Sequence, residues 1–195
     1  FSSTGTACYL KLATLNTSTK TFTFGSQITL TTAPGTYGNW RGFVCDFNGT
    51  DRGLLQLCSG SAYGGQTVQN DYYGFAIVAG TLYVSGNSRI TAGTGSVSQP
   101  AYNASNSCWY TGANNCFLGT SGISSGSNLQ ITIVCYQVNV SGTTVTLTAA
   151  TGSNFNYNNT SEYSYYIAPT SQSTFVVDDS NNSTKTYINY NTSTN

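Results

Sequence analysis

The side chains able to do acid–base or nucleophilic chemistry are few and poorly spaced for it. The chain has no histidine and six acidic residues: Asp46, Asp51, Asp71, Glu162, Asp178 and Asp179. General acid–base catalysis draws on histidine or on two carboxylates tuned by different surroundings. Asp178 and Asp179 are adjacent, so on a strand they point to opposite faces and make a poor dyad. A serine or cysteine nucleophile would lack a histidine base. No catalytic, cofactor-binding or metal residue is therefore assigned, and the chain is expected not to be an enzyme. Asp46-Phe47-Asn48-Gly49-Thr50-Asp51 has the look of an acidic Ca²⁺ loop, yet the flanking pattern and the distal glutamate are missing. A polar hairpin turn carrying a glycan acceptor is the better reading.

Cysteine and asparagine carry the remaining chemistry. The six cysteines are Cys8, Cys45, Cys58, Cys108, Cys116 and Cys135. An even count without C-x-x-C spacing favours disulfides in an oxidising compartment. Local spacing favours Cys108 with Cys116 and Cys45 with Cys58, which leaves Cys8 for Cys135, though six cysteines allow many connectivities. Asn-X-Ser/Thr acceptors for N-linked glycans occur at Asn16, Asn48, Asn103, Asn139, Asn158, Asn159, Asn181, Asn182 and Asn191. A chain so rich in Asn, Ser and Thr produces some of these by chance, but most fall in predicted turns, where glycosylation occurs. Lys11, Lys20 and Lys185 are the only lysines. A buried lysine beside Asn or Asp can form an isopeptide crosslink, whereas solvated surface lysines are the ordinary case. Trp109, Tyr110, Tyr72 and Tyr73, if exposed, would stack on sugars; core packing or subunit contact is the competing role.

These residues are predicted to ride on strands. Asn128 to Ala150 gives the clearest signal, two alternating β-branched runs around a Ser141-Gly142 turn. Leu129, Ile131, Ile133 and Cys135 share one face, whereas Val138 and Val140 continue on the other parity. Such a phase change requires a bulge, a twist or burial on both faces. The second arm points Val145, Leu147 and Ala149 inward. Ala7 to Leu15 reads as one strand, and Lys20 to Thr32 as another in which Phe22, Phe24, Ile28 and Leu30 alternate cleanly on one parity. Arg41 to Phe47 and Leu54 to Cys58 flank the Asn48-Gly49 turn. A second hairpin joins Tyr72–Ala79 to Thr81–Ser85 and ends at Gly86-Asn87. Cys108 to Cys116 reads as a loop with exposed aromatics, and Gly152 to Thr160 as a polar loop. Strands follow at Glu162 to Ala168 and Thr174 to Val177, then a polar tail. No segment carries a helical period, and no repeat or composition break divides the chain. Turn signals every 8 to 12 residues point to an all-β, antiparallel β-sandwich or jelly roll.

Composition narrows the setting. Charged residues make up 6% of the 195-residue chain, against about 25% in ordinary globular proteins. Six basic residues balance six acidic ones without a run, so there is no cationic stripe for nucleic acid. No apolar run is long enough to span a membrane as a helix. Fifteen Tyr and nine Phe argue for a packed sheet protein rather than a disordered one. The chain opens at Phe1 without an initiator methionine, as a processed polypeptide would. A fold with so few ionic groups loses little when carboxylates protonate, which suits an acidic extracellular habitat.

In its Ser/Thr/Asn/Tyr-rich composition, paired cysteines, dense sequons and length, the whole chain resembles the subunit of the archaeal "threads", thin cell-surface filaments of Sulfolobales. The resemblance implies an immunoglobulin-like or pilin-like sandwich, with residues 1–15 as an N-terminal donor strand and 16–195 as a single head domain. It implies a homopolymer joined head-to-tail by donor-strand complementation, carrying N-linked glycans, extracellular, and serving adhesion or biofilm formation. Ala7, Cys8, Leu10 and Leu12 are the expected donor positions, with the C-terminal Thr174 to Tyr190 region as the other candidate. The competing expectation is a carbohydrate- or receptor-binding head of a viral or bacterial surface glycoprotein, which an exposed Trp109 would favour.

Overall fold

The structure, a computed structural model, describes residues 2–3, 7–31, 41–59, 69–91, 107–112, 115–125, 128–149, 153–158, 165–169, 174–179 and 184–189. Every regular element among them is a β-strand: β1 (Ser2–Ser3), β2 (Ala7–Leu10), β3 (Ala13–Asn16), β4 (Thr21–Phe24), β5 (Ile28–Thr31), β6 (Arg41–Phe47), β7 (Arg52–Ser59), β8 (Gln69–Val78), β9 (Thr81–Thr91), β10 (Ser107–Tyr110), β11 (Cys116–Ser125), β12 (Asn128–Ser141), β13 (Thr144–Ala149), β14 (Ser153–Asn158), β15 (Tyr165–Pro169), β16 (Thr174–Asp179) and β17 (Thr184–Asn189). All ladders are antiparallel. They form the sheets β1-β2-β5, β3-β4, β6-β7-β8-β9, β10-β11-β12-β13 with β14 also on β12, and β15-β16-β17.

The four-stranded sheet β6–β9 is the middle layer. One face meets the five-stranded sheet in a core of Leu54, Tyr72, Ala76, Cys108, Phe117, Val134, Tyr136, Val138 and Val145. Its other face carries Leu55, Leu57, Tyr73 and Phe75, which pack with Leu30 and the half-buried Leu10 and Ile28 of the N-terminal sheet. β7 is therefore buried on both sides from Gly53 to Leu57, which explains its unbroken apolar run. Its one polar member, Gln56, donates through Nε2 to the Tyr72 hydroxyl at 3.0 Å.

Two-sided burial also resolves the phase change in β12. The strand pairs with β11, β13 and β14 without a register shift, and Ile133, Val134, Cys135 and Tyr136 are all buried. Alternation continues; both parities are apolar because both faces are covered. The two-residue turn to β13 is Gly142-Thr143, one position later than expected, with Gly142 at φ 60°. Glycine at the first central position is what a tight II′ hairpin requires. On β13, Val145 is buried and Leu147 half-buried, but Ala149 is exposed.

Several expected boundaries move. β9 runs past Gly86-Asn87 to Thr91 through a bulge opposite Gly74, whose N–H donates to Ser85 Oγ at 2.9 Å. Ala79, expected inward, sits in the exposed turn. Within the expected polar loop, 153–158 form a strand, as do 184–189 in the expected tail. Ser107–Tyr110 is a strand rather than a loop. The long N-terminal hairpin breaks at Lys11–Leu12 and Gly25–Gln27, where Gly25 N–H donates to Leu12 O at 2.9 Å. Its base, β2 and β5, stays on the central sheet; its tip becomes the separate β3–β4 ribbon.

Candidate functional site

Among the described residues, the β3–β4 ribbon carries three of the exposed large apolar side chains. Every residue of both strands is exposed, and Leu15, Phe22 and Phe24 are exposed by 46%, 60% and 65%. Leu15 lies in register with Phe22, and the two phenyl rings stack with centroids 6.4 Å apart. Alternation puts Phe22 and Phe24 on one parity with Ile28 and Leu30, which are half-buried and buried. The break at Gly25–Gln27 carries the first pair off the core. The turn at the tip is held by Asn16, whose Oδ1 accepts from Ser18 N–H and Thr19 N–H at 3.0 and 3.1 Å.

Beside the ribbon's root lies an apolar groove of about 150 Å³, lined chiefly by Leu10, Leu12, Leu55, Phe75, Ile77 and Leu82. A cavity near that size with aliphatic walls holds a benzene-sized ring; drug-sized ligands fill roughly 300 Å³ or more. The groove thus suits one inserted side chain rather than a cofactor. Expected donor residues Leu10 and Leu12 are half-buried in its wall, while the backbone of Ala7 and Cys8 pairs with Thr31 and Leu30 of the same chain.

The loop from Asp46 to Arg52 is a latch rather than a cation site. Asn48 Oδ1 accepts from the N–H groups of Thr50, Asp51 and Arg52 and from Thr50 Oγ1, at 3.0 to 3.2 Å. Asp46 Oδ1 accepts from Phe47 N–H, and Oδ2 from Tyr110 N–H on the facing sheet. Arg52 binds Asp51 bidentately at 2.8 and 3.0 Å and reaches Val138 O. Hydrogen bonding from Arg52 holds the Asp51 carboxyl down at about 2, whereas burial raises that of Asp46. Each of these acceptor oxygens already faces a protein donor. Among the described residues no group of three or more His, Cys, Asp or Glu could hold a metal.

Further polar residues lie on and beside β8 and β9. Asp71 is fully buried, in register with Arg89, and accepts from Asn87 Nδ2 at 3.3 Å. Burial pushes the nearby Tyr136 phenol up to about 12, with Ser88 hydrogen-bonding against that rise and Asp71 adding to it. By strand parity Asp71 shares the Tyr73 face of β8, whereas Tyr136 packs on the Tyr72 face, so the central sheet stands between them.

The aromatics expected to stack on sugars are not presented for it. Tyr72, Tyr73 and Trp109 are buried, and the half-buried Tyr110 packs on Phe117 at 5.2 Å. Trp109 is covered because β10 is a strand whose outer face is not open to solvent. Lys11 and Lys20 are exposed, which removes them as buried isopeptide donors; the Lys185 side chain lies outside the described residues.

The cysteines are redistributed by register. Cys108 and Cys116 fall on opposite faces of the β10–β11 pair, since Cys108 faces Gly119 and Cys116 follows the Tyr110–Phe117 pair. In β6 and β7, Cys45 pairs with Leu55 and Cys58 with Arg41. β2, which carries Cys8, lies across the central sheet from β12, which carries Cys135. Of the three expected pairs, Cys108–Cys116 is split between two faces, while the side chains of Cys8, Cys45 and Cys58 lie outside the described residues. Among the acceptor asparagines, Asn16 is exposed, Asn48 and Asn139 are half-buried, and Asn158 ends β14 opposite Asn128. Asn103, Asn159, Asn181, Asn182 and Asn191 lie outside the described residues, as does Glu162; the side chains of Asp178 and Asp179 are likewise not described.

No known family, curated protein or solved structure matches the chain. Among the described residues no helix is long and apolar enough to cross a membrane.

Proposed function

We propose that this chain is a structural subunit of an extracellular, N-glycosylated filament that polymerises head-to-tail by donor-strand complementation, for adhesion or biofilm formation. The two face-packed antiparallel sheets are taken as its β-sandwich head, of the immunoglobulin-like or pilin-like kind. What carries the reading is the seat of β2. Leu10, with Ile28 and Leu30, covers Leu55, Leu57, Tyr73 and Phe75 of the central sheet. Without β2 that apolar surface and the edge of β5 would be bare, a surface that recruits another strand. A β2 from a neighbouring copy offers the same ladder to β5 and the same leucine, so exchange replaces one set of bonds by an equal one. The exposed phenylalanines of the β3–β4 ribbon supply further apolar contact area between copies.

A carbohydrate- or receptor-binding head, the competing expectation, draws no support from Trp109, Tyr72 or Tyr73, which are buried. Electron microscopy of the full chain and of a chain lacking residues 1–14 tests the proposal. The full chain forms filaments; the truncation gives monomers or amorphous aggregates, and a peptide of residues 1–14 added in trans caps it as a soluble species. Normal filaments from the truncated chain would sink the idea.

A further inference from the structure

Cys116 is the first residue of β11 and lies in register with Gln137; Cys135, two positions back along β12, pairs with Leu118. Alternation puts Cys116 and Cys135 on one face of the sheet as diagonal neighbours. Cys108 points the other way, into the core between the sheets, where its thiol donates to Leu54 O at 3.4 Å. The Cys116 and Cys135 side chains are in hydrogen-bond contact.

We infer that Cys116 and Cys135 form a cross-strand disulfide, closed by exchange with a small-molecule disulfide or a disulfide-bearing oxidoreductase and bolting β11 to β12. Diagonal neighbours stand wider apart than bonded cysteines, so closure needs a small backbone shift. The shift falls on Cys116, the first residue of its strand, whose carbonyl accepts from Thr111 N–H and Oγ1 at 3.0 Å. The half-buried Cys116 meets the oxidant before the buried Cys135 does. Its thiolate attacks one sulfur of the oxidant, forming a mixed disulfide and expelling the first thiolate. Cys135, giving up its proton, then attacks Cys116 Sγ and expels the second. Two protein thiols lose two electrons and two protons, and the oxidant's disulfide takes up both as two thiols. Burial, followed by the neighbouring Cys116, holds the Cys135 thiol up at about 12. The second step is therefore slow at neutral pH and quickens as pH rises.

The pairing does not depend on the filament reading. The test oxidises the full chain with a reduced/oxidised glutathione pair under native conditions, blocks remaining thiols by alkylation, and maps peptides without reduction. A Cys116–Cys135 crosslink is expected, unchanged in Cys108→Ser and absent in Cys116→Ser, with the crosslinked chain melting at a higher temperature than the reduced one. Alkylation of both Cys116 and Cys135, or a crosslink from either to any other cysteine, overturns it. Closure at pH 9 should outpace closure at pH 7 by more than tenfold; equal rates would overturn the buried-thiol step order.

Discussion

The rings of Tyr72 and Tyr136 stack across the junction of the two large sheets, with centroids 4.8 Å apart and planes 28° from parallel. Gly119 makes room for them. A Cβ there would lie 2.5 Å from Tyr72 Cε1 and 2.9 Å from Tyr136 Cε2. Both rings are fully buried. Overpacking of this kind costs about 1–3 kcal/mol, so Gly119→Ala should lower the denaturant midpoint by that equivalent with an unchanged m-value. A wild-type midpoint would mean that the rings can part.

The β8–β9 turn contains an avoidable strain. Ala79 and Gly80 both have positive φ, 48° and 76°, the signature of a type I′ turn, in which Asn-Gly is favoured. Alanine in that region costs roughly 1 kcal/mol through its Cβ. Ala79 is exposed, so nothing else is disturbed by replacing it. Ala79→Asn should raise stability by about 0.5–1 kcal/mol in chemical denaturation.

What the sequence could reveal divided along physical lines. Hairpins closed by glycine turns, such as Val138–Ala149, were legible because glycine marks the turn, although the register follows Gly142-Thr143 rather than Ser141-Gly142. The fate of a face was not: Phe22 and Leu30 share one parity, yet one is exposed and the other buried, because a break at Gly25–Gln27 separates them. Trp109 looked like a loop residue since its strand is short and flanked by Gly and Asn. Polarity hid 153–158 and 184–189, whose strands are secured by ladders to β12 and β16. The groove was invisible because Leu12 and Ile77, far apart in sequence, meet only after folding. The Cys116–Cys135 neighbourhood depends on a register between strands that spacing alone does not fix.

Acid should hardly disturb this fold between pH 6 and 3. Asp51, held down by Arg52, has a folded pKa of about 2 against an ordinary 3.8, so its contribution is full above pH 4 and lost as pH falls through 2. Asp46 works in the opposite sense. Its raised pKa means the ionised form opposes folding, and that penalty disappears as acid protonates it. The Asp51 carboxylate is 45% exposed, so its pair with Arg52 is screened and contributes under about 1 kcal/mol. Melting temperatures at pH 6 and pH 3 should agree within a few degrees. A further fall towards pH 1.5 should shrink in Asp51→Asn.

Glycan occupancy should differ between two acceptors whose sequences look equivalent. Asn16 is exposed and stabilises its turn through Oδ1, the atom that a glycan on Nδ2 leaves unmodified. Asn48 Nδ2 instead donates to Asp51 Oδ1 at 3.3 Å and to Asn115 Oδ1 at 3.4 Å, within the half-buried latch. On natively expressed material, glycopeptide mass spectrometry should find Asn16 occupied and Asn48 bare. The reverse pattern would place glycosylation ahead of latch formation.

The phenylalanine ribbon gives the filament reading a test that leaves the head intact. Phe22 and Phe24 are each more than half exposed, and surface replacements away from packed features usually change stability by no more than about 0.5 kcal/mol. Phe22→Ser with Phe24→Ser should therefore fold and melt like the parent. On the proposed filament, association is where the loss should show: an aromatic pair of one copy seated in the apolar groove of the next would be a heterologous contact, which repeats into an open fibre. Sedimentation of the double variant should show shorter polymers or monomers at concentrations where the parent pellets. Filling the groove from within by Leu82→Phe should produce the same defect from the other side of the contact. If both variants polymerise as the parent does, the ribbon and the groove take no part in assembly, and the contact between copies rests on strand exchange at β5 alone.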